Sequence, residues 1–282
     1  MRYSQSGILK DTRPWGKMFV AGAAAVTLSV AMFASAFAAT SVVTSQNMQG
    51  WNDLSSNGGE VRYTEGAPAG LGTSSLELRT DNTLPAQAVY SHESDLALSE
   101  VEQLSYWTKQ VVASNVAGSA SMFLSLDLDN DGDWDSTLIH EPYWQNAGSP
   151  DPMPVANNVW QPWDVDAGQF WSSRTFTGDH DLNLAAGAGG PPLYTLSALK
   201  TGFPEAQVMA YGVNVGTWNP AYIIKVDGIS VNGQVSDFES KEACKNNGWK
   251  TAMTADDRSF KNQGQCVSYF AANSNASFKK TQ

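Results

Sequence analysis

Residues 121–140, SMFLSLDLDNDGDWDSTLIH, predict two β-strands joined by a tight acidic turn. Two sets of side chains alternate through the first half: Met122, Leu124, Leu126 and Leu128 against Phe123, Ser125, Asp127 and Asp129. A period of two with one apolar set is the pattern of a half-buried strand. The Asn130-Asp131-Gly132 sequence between the two halves is a strong hairpin signal. The stretch therefore favours a β-protein.

The apolar pattern also predicts the register of this hairpin. A three-residue loop over 130–132, with Gly132 left-handed, keeps the leucines and Trp134 on one face and gathers aspartates on the other. The cross-strand pairs are then Asp129–Asp133, Leu128–Trp134, Asp127–Asp135, Leu126–Ser136, Ser125–Thr137, Leu124–Leu138 and Phe123–Ile139. A two-residue turn would instead set Leu128 opposite Asp135 and mix the two faces. Because register follows the hydrophobic pattern, we prefer the first alternative.

The same register brings carboxylates close together. Like charges directly opposite one another destabilise a bare hairpin, and a hard cation with oxygen ligands would reverse that effect. The candidate ligands for a structural calcium ion (Ca²⁺) are Asp127, Asp129, Asp131, Asp133 and Asp135. The spacing also fits the first half of a DxDxDG calcium loop, but Leu138 stands where the bidentate glutamate of an EF-hand belongs. A solvated turn without any ion explains the same residues and stays an open alternative.

Nine stretches of the chain carry strand patterns of this kind, rich in β-branched and aromatic residues and separated by turn residues. They are EVRY, SSLELRT, AQAVYS, QLSYWTKQVV, SMFLSLDLD, STLIHEPYW, VWQPWDV, AQVMAYGVNVG and YIIKVDGISV, the hairpin strands included. One short helix is expected over LSALKT, with Thr195 as its N-cap, Gly202 in the left-handed C′ position and Pro204 preventing continuation. The fold class predicted is all-β, a jelly-roll β-sandwich with one short helix.

The N-terminal region predicts an export signal. Basic residues precede an almost uncharged apolar run from Met18 to Phe37, and Ala36-Phe37-Ala38 fits an A-x-A cleavage site. This is the layout of a secretory signal peptide, although an apolar run of about 20 residues could also be a retained membrane anchor. We expect residues 1–38 to be the signal peptide, 39–239 the sandwich domain and 240–282 a cysteine-containing C-terminal segment. No later stretch is long and apolar enough to span a membrane, so we expect a secreted or cell-surface protein.

Removal of residues 1–38 leaves 13 basic and 27 acidic residues, a formal charge of −14. A surface this acidic repels phosphate backbones, so a nucleic-acid partner is not expected. The charge suits divalent cations, or neutral ligands for which charge matters little. The chain contains only two cysteines, Cys244 and Cys266, and neither has a CxxC partner or a histidine nearby. In an exported chain such a pair predicts a disulfide, which would tie the C-terminal segment.

Three stretches resemble carbohydrate-binding-module-like jelly rolls: GW at 50–51, GLGTSSLELRT and YIIKVDGISVNG. A closer likeness is to a group of uncharacterised secreted bacterial proteins with a W-Q-x-W-D strand, here Trp160 to Asp164, and a DFE junction. Those proteins often end in a C-x-x-x-G-W…F-K-N-Q-G-x-C-V-S tail, which here begins at Cys244 and ends at Ser268. The likeness covers most of residues 45–270. It implies the fold and export, and it implies sugar binding by analogy alone.

Aromatic residues supply the candidate ligand contacts. Sugars present flat C–H faces that pack on exposed indole rings. Strand alternation in VWQPWDV places Val159, Trp163 and Val165 on one face, and we assign Trp163 to the core and Trp160 to the more exposed face. In LIHEPYW it separates Leu138, His140 and Trp144 from Ile139, Glu141 and Tyr143. The ligand-binding candidates are Tyr143, Trp144, Trp160 and Trp171. Large aromatics also fill sandwich cores, which is the competing interpretation for each of them.

Catalytic signals are sparse in this sequence. His92, His140 and His180 lie in separate segments, and no HExxH or GxSxG motif is present. A polysaccharide lyase or glycoside hydrolase on this fold could still assemble a site from His140, Glu141 and Tyr143. The function expected is non-catalytic binding of an extracellular or cell-surface glycan, or cell-surface adhesion, with a structural calcium ion. The alternatives are such a lyase or hydrolase, and a surface-structural protein without a glycan ligand.

Overall fold

Fourteen β-strands and two α-helices make up the described part of the chain in a computed structural model. The structure describes residues 39–45, 47–145, 155–177, 182–240, 244–245, 247–250 and 258–271. The strands are β1 (Ala39–Val43), β2 (Trp51–Asp53), β3 (Gly59–Glu65), β4 (Ser74–Thr80), β5 (Ala88–Ala97), β6 (Ser105–Val112) and β7 (Ser121–Asp127). They continue with β8 (Ser136–His140), β9 (Trp160–Asp164), β10 (Gln169–Ser172), β11 (Tyr194–Thr195), β12 (Gln207–Val215), β13 (Ile223–Val231) and β14 (Gln234–Phe238). The helices are α1 (Leu196–Gly202) and α2 (Gln263–Ala271).

The strands form two seven-stranded sheets. Sheet I has the order β1-β14-β13-β4-β3, with β6 also pairing β13 and β9 pairing β6. Sheet II has the order β11-β10-β8-β7-β12-β5-β2. The β1–β14 pair is parallel, and the other strand pairs of the described chain are antiparallel. Neighbours in the sheets are often distant in sequence, as in a jelly roll.

The core lies between the inner faces of the two sheets. Trp51 of sheet II stacks on Tyr90 with ring centroids 5.3 Å apart and meets Phe238 of sheet I edge-on at 5.2 Å. The hydroxyls of Tyr63 and Tyr90 lie 2.7 Å apart and form a hydrogen bond between the sheets. Leu76, Leu78, Ile224 and Val226 from sheet I and Met122, Leu124 and Val213 from sheet II are fully buried in the same cluster. The predicted β-sandwich is therefore confirmed.

The predicted hairpin register is confirmed where the strands pair. The structure pairs Phe123 with Ile139, Leu124 with Leu138, Ser125 with Thr137 and Leu126 with Ser136. Gly132 has a φ of +95°, as the turn prediction required, and Asn130 has a φ of +58°.

The hairpin tip differs from the prediction beyond Leu126 and Ser136. Regular pairing ends there, so the connection is longer than three residues, because aspartate carboxylates take backbone N–H groups that a ladder would have used. The prediction that Trp134 lies beside the buried leucines is wrong. This residue is 43% exposed, and the Arg174 guanidinium lies 3.8 Å from its ring centroid.

All nine predicted strand segments contain a strand. β1, β2, β10, β11 and β14 were not predicted; they are mostly short, or lie in stretches without clear alternation. Helix α1 is confirmed, with Thr195 Oγ1 accepting a hydrogen bond from the Ala198 backbone N–H at 3.2 Å. Gly202 is not the left-handed C′ residue, because it lies within α1 and Phe203 is the C-cap. A Cβ at Gly202 would lie 2.3 Å from the Leu182 Cβ, so close packing requires glycine here.

The C-terminal segment contains the predicted disulfide between Cys244 and Cys266, whose Cα atoms lie 5.7 Å apart. Both cysteines are buried with Phe260, and Val42 of β1 packs against this small cluster. Helix α2, which was not predicted, carries Cys266. The predicted signal peptide lies outside the described residues. Neither α1 nor α2, nor any other helix within the described ranges, is long and apolar enough to cross a membrane.

Candidate functional site

The acidic hairpin tip brings together three of the five predicted metal ligands. One carboxylate oxygen from each of Asp127, Asp129 and Asp135 lies within 4.8 Å of the other two. Asp127 is buried, Asp135 is half-buried and Asp129 is exposed. Asp131 and Asp133 are exposed and lie outside this group. The three grouped oxygens could hold a metal ion; Asp127 and Asp129 are the first and third residues of the DxDxDG pattern, and Asp135 lies three residues beyond its glycine.

Hydrogen bonds within the tip fix these carboxylates. Asp127 Oδ1 accepts from the Asp131 backbone N–H at 3.2 Å, and its Oδ2 accepts from the Gly132 N–H at 2.8 Å. Asp135 Oδ2 accepts from the Leu128 N–H at 2.6 Å. Burial raises the pKa of Asp135, and the negative charges of Asp129 and Asp127 add to the rise. Backbone N–H groups of the tip therefore hold the Asp127 and Asp135 carboxylates in place.

The face of sheet II that points away from the core carries an apolar row across five strands. The register aligns Trp171 with Ile139, Ile139 with Phe123, Phe123 with Gly212 and Gly212 with Ser91. Phe123 and Ile139 are each 7% exposed and do not belong to the core cluster, which places them on the outer face. We call Ser91, Gly212, Phe123, Ile139 and Trp171 the outer row.

Gly212 has a specific part in the outer row. A Cβ at this position would lie 2.8 Å from the Phe123 Cζ, so the phenyl ring lies against the backbone of β12. Only a residue without a side chain lets an aromatic ring approach the sheet this closely. Phe123, Ile139, Gly212 and Ser91 are buried, so Trp171 is the half-buried member of the outer row.

Polar groups flank the outer row on both sides. Asn214 lies two residues beyond Gly212 on the same face, paired with Ser121, and its buried Oδ1 has no hydrogen-bond partner. On the other side the Ser125 and Thr137 hydroxyls lie 3.3 Å apart. A buried acceptor without a partner costs free energy unless a ligand or water supplies a donor. Of the polar groups that flank the outer row, Asn214 Oδ1 is therefore the one without a hydrogen-bond partner.

Three of the four predicted ligand residues gather at one end of the outer row. Tyr143 and Trp144 lie in a short 3₁₀ turn, Pro142–Trp144, and their rings meet edge-on with centroids 4.7 Å apart. Glu141 follows β8 in extended conformation, and its Oε2 accepts a hydrogen bond from Trp171 Nε1 at 3.2 Å. All four residues are half-buried. We call Glu141, Tyr143, Trp144 and Trp171 the aromatic corner.

Charge and packing within the aromatic corner follow from this geometry. Burial raises the pKa of Glu141, and hydrogen bonding from the Trp171 and Trp144 indoles opposes that rise. Trp144 Nε1 also donates to the Gly189 carbonyl at 2.9 Å. A Cβ at Gly190 would lie 2.7 Å from the Trp144 Cζ2, so a glycine loop covers part of this ring. The assignment of Trp144 to one strand face with Leu138 and His140 is wrong, because the chain leaves the strand at Pro142.

Trp160 lies apart from the aromatic corner. It begins β9 in sheet I and pairs with Lys109 of β6, whereas Trp171 belongs to sheet II. Trp160 is half-buried, and Trp163 is 5% exposed with its Nε1 donating to Thr108 Oγ1 at 2.7 Å. The assignment of Trp163 to the core and Trp160 to the outer side is confirmed. Val159, which was placed on the same strand face as Trp163, is 53% exposed, because it precedes the first residue of β9.

The acid–base candidates His140 and Glu141 point to opposite sides of the sheet. His140 is buried between Tyr106 and Phe170, with ring centroids at 6.2 and 5.8 Å, and neither ring nitrogen has a hydrogen-bond partner. Burial lowers its pKa to about 4. Glu141 lies on the outer face. The structure therefore does not join His140 to Glu141 and Tyr143. His180 lies outside the described residues.

Comparison with known proteins gives distant structural similarities. No protein-family model and no curated protein sequence matches the chain. The family 11 carbohydrate-binding module from Clostridium thermocellum, solved with a beta-1,3-1,4-mixed-linked tetrasaccharide, has a TM-score of 0.36 and 13% identity over 66% of this chain and 91% of that chain. A beta-1,2-glucanase from Parabacteroides distasonis has a TM-score of 0.33 and 11% identity, covering 64% of this chain and 23% of that chain. A structure of carbohydrate-binding modules from the β-sandwich superfamily has a TM-score of 0.31 and 13% identity, covering 64% and 56% respectively. At these values the similarity is one of β-sandwich architecture and does not establish what this chain binds.

Proposed function

We propose that this chain is an exported, non-catalytic protein that binds an extracellular or cell-surface glycan through the outer face of sheet II. The observation that carries the proposal is the outer row ending in the aromatic corner. There, Trp171 is half-buried on the same sheet face as Phe123 and Ile139. Isolated surface aromatics are common, whereas several half-buried aromatic rings gathered beside a carboxylate are a feature of ligand sites.

The chemistry of the aromatic corner suits a neutral sugar chain. Pyranose rings have apolar C–H faces that pack on indole and phenyl rings, and hydroxyls that need hydrogen-bond partners. The Asn214 Oδ1 lacks a donor, and Glu141 offers a carboxylate beside Trp171. A sugar ring would stack on the half-buried Trp171, with a hydroxyl near the Glu141 carboxylate. A neutral ligand also agrees with the acidic composition of the chain.

A structural calcium ion at the hairpin tip is part of this proposal. The oxygens of Asp127, Asp129 and Asp135 would be its carboxylate ligands, and the ion would offset the repulsion between them. The test compares the parent with a tip variant, Asp129→Asn with Asp135→Asn, by thermal unfolding in chelator and in calcium. We expect calcium to stabilise the parent more than the tip variant, and to do so better than magnesium. An equal calcium response in both proteins would show that the hairpin tip does not bind the ion.

The proposed organisation is a cleaved signal peptide over 1–38, a sandwich domain over 39–239 and a C-terminal segment over 240–282. The Cys244–Cys266 disulfide is compatible with an oxidising, extracellular location. N-terminal sequencing of protein recovered from the culture medium tests the cleavage after Ala38. A mature chain that begins at residue 39 is expected, and a chain retained in the membrane with residues 1–38 attached would contradict it.

The function itself is tested with a glycan array and a panel of polysaccharides. We expect binding to a defined set of glycans without the release of reducing ends or unsaturated products. Product release would assign the chain to the lyase or hydrolase class instead. The absence of any bound glycan, in calcium and in chelator, would favour a surface-structural role and would contradict the proposal.

A further inference from the structure

Exposed apolar side chains of this protein gather at one end of the sandwich. Seven large apolar residues are exposed within the described ranges, and six of them lie in or next to five loops. In chain order the loops are 54–58, 81–87, 113–120, 155–159 and 216–222. The six residues are Leu54, Leu84, Val112, Val116, Val159 and Trp218. We call the five loops, with Val112 at the end of β6, the loop end.

The strand pairings bring the five loops together. The first residue of β13 pairs with the last residue of β6 and with the residue before the last of β4. The last residue of β4 pairs with the first of β3, and the last residue of β12 pairs with the first of β5. Strand β9 begins opposite Lys109, close to the end of β6. The strand termini that the loops join therefore lie at the same end of the sandwich.

The loop end is almost free of charge, although the whole chain has 17 basic and 28 acidic residues. Asp81 is the one charged residue in the five loops, and it directly follows β4. Its carboxylate accepts hydrogen bonds from the Thr83 N–H at 2.8 Å and from the Thr83 hydroxyl at 2.6 Å. Asp53, which ends β2 just before the first loop, accepts from the Ser55 N–H at 3.0 Å. An apolar medium at the loop tips would therefore desolvate little charge.

Backbone hydrogen bonds join the first, second and fifth loops. Ser56 and Gln87 exchange two backbone hydrogen bonds, of 2.9 and 3.0 Å, between the first loop and the second. The Ala221 N–H of the fifth loop donates to the Asp81 carbonyl of the second loop at 2.7 Å. These backbone groups are paired within the protein and do not depend on water.

The third and fourth loops are held by one buried residue of β6. The Gln110 side-chain amide donates to the Val116 and Gly118 carbonyls at 3.2 and 2.6 Å. The Gln110 carbonyl accepts from the Asn158 N–H at 2.8 Å. A backbone group without an intramolecular partner is costly in a lipid environment, so this internal pairing suits a surface that contacts lipid.

Trp218 is the one aromatic residue among the six. It is 74% exposed, and its φ of +68° is a left-handed conformation that is unfavourable for a bulky residue. Its backbone N–H donates to the Leu84 carbonyl at 2.8 Å, and Asn219 Nδ2 donates to the Gly216 and Thr217 carbonyls at 3.2 and 3.1 Å. The fold thus holds an exposed indole in place despite backbone strain. Strain of this kind is concentrated at functional positions.

The composition of the loop end favours lipid over a sugar or a second copy of the chain. Five of the six side chains are Leu or Val, which match hydrocarbon and offer no flat ring for a pyranose. Tryptophan is the residue type that membrane interfaces favour, because its ring is apolar and its N–H remains among polar groups. A second copy would bring together two chains of formal net charge −11, which repel each other.

We propose that the loop end inserts its six apolar side chains into the interface of a membrane whose lipid headgroups carry no net charge. Each of the five loops contributes a side chain, and the strands stay outside the hydrocarbon. Headgroups without net charge are selected because an acidic chain is repelled by anionic lipid. This attachment is peripheral, and it does not rest on glycan binding by sheet II.

Phosphatidylcholine vesicles are the probe for the first test. The chain recovered from the culture medium is centrifuged with these vesicles in chelator, so that calcium cannot bridge protein and lipid. We expect co-sedimentation that persists at high salt, because the attraction is not ionic, and that is weaker for vesicles containing phosphatidylglycerol. The absence of binding to phosphatidylcholine, or binding to anionic vesicles alone, would overturn the proposal. The vesicles carry no glycan, so such a failure leaves the proposed glycan binding untouched.

Matched variants locate the contact on the protein. Asparagine tolerates the left-handed conformation, so Trp218→Asn should retain the parent's melting temperature. Combined with Val116→Ser, it should lower partitioning into the vesicles by about tenfold. Trp134→Asn changes an exposed tryptophan at the hairpin tip and should leave partitioning unchanged. This control also covers vesicle binding by a retained apolar run at 18–37, and partitioning that survives the double variant would overturn the proposal.

Quenching by lipids brominated on their acyl chains shows which indole enters the membrane. Trp218→Phe keeps an apolar ring at the loop end, so the variant should still bind but should lose most of the quenching. Trp134→Phe should be quenched as the parent is, and quenching that survives Trp218→Phe would contradict insertion of the loop end. Without vesicle binding, dimers that Trp218→Asn abolishes would assign the loop end to a second copy. Lost glycan affinity in Trp218→Asn without vesicle binding would assign it to the glycan instead.

Discussion

Trp171 Nε1 and Glu141 Oε2 form a 3.2 Å hydrogen bond on the outer face of sheet II. The bond exists because Trp171 pairs with Ile139, and Glu141 lies two residues further along on the same face. It fixes the indole plane relative to the sheet. An aromatic ring held in one orientation loses less conformational entropy on binding than a mobile ring does.

The first prediction separates the hydrogen bond from the charge at Glu141. Glu141→Gln retains an oxygen acceptor for Trp171 and should change the Kd for a bound glycan little. Glu141→Ala removes the acceptor and should weaken binding about tenfold, the effect of losing roughly 1.4 kcal/mol. Calorimetric titration with the glycan identified on the array measures both. If both variants bind as the parent does, Glu141 has no part in orienting the site.

The second prediction concerns the two tryptophans of β9. Trp163→Ala should cost about 3–5 kcal/mol in the free energy of unfolding, because it leaves a cavity and deprives Thr108 Oγ1 of its indole donor. Trp160→Ala should leave the fold largely intact, because Trp160 is half-buried at the start of the strand. Urea unfolding of the two variants provides the comparison. Equal destabilisation would show that the two sides of β9 are assigned wrongly.

The third prediction follows from His140, whose pKa falls to about 4 on burial while an unfolded histidine has a pKa near 6.5. Between these values the unfolded chain binds a proton that the folded chain excludes, so stability falls as the pH is lowered from 6.5 to 4. The loss from this one group is about 3 kcal/mol by pH 4. Its ring neighbours, Tyr106 and Phe170, carry no charge that would offset it. His140→Phe should flatten the acid side of the stability curve, and an unchanged slope would argue against buried neutral His140.

The fourth prediction concerns the disulfide. Without reductant, alkylation should label neither cysteine. Replacing Cys244 and Cys266 together by serine should destabilise the C-terminal segment by about 3 kcal/mol, since the bond closes a separation of 22 residues. Val42 packs on this cluster, so hydrogen exchange should speed up in β1 and stay unchanged in β7, the internal control. Full labelling of both thiols in freshly secreted protein would refute the disulfide.

The sequence predicted those features that depend on local alternation. The Leu124–Leu138 pairing followed from a strict period of two, and Thr195 followed from short-range capping chemistry. The hairpin tip differed because carboxylates replaced backbone groups as hydrogen-bond acceptors, which side-chain periodicity does not report. Trp144 does not lie on the strand face predicted for it, because Pro142 begins a 3₁₀ turn.

Features built from distant segments of the chain could not be predicted from local alternation. Trp160 and Trp171 have similar local surroundings, and only the strand order reveals that they belong to different sheets. Gly72 and Thr73 donate backbone hydrogen bonds to Asp237 and Glu239, about 165 positions further along the chain, and these residues form no contiguous motif. The sequence shows acidic residues here, in VDG at 226–228 and DFE at 237–239. It does not show that they lie close together in the fold. The sequence around Asn214 does not predict that its Oδ1 lacks a hydrogen-bond partner, because the surroundings of this oxygen are set by Ser121 and the neighbouring strands.

The most direct test of glycan binding at the outer face of sheet II is a matched pair of tryptophan variants. Trp171→Ala removes the indole at the aromatic corner, and Trp160→Ala removes one of similar exposure on sheet I. Both should retain the parent's melting temperature to within a few degrees. We measure the Kd of each for the glycan that the parent binds on the array. The account predicts that Trp171→Ala weakens binding at least tenfold and Trp160→Ala leaves it unchanged; loss of binding in Trp160→Ala with full affinity in Trp171→Ala would contradict it.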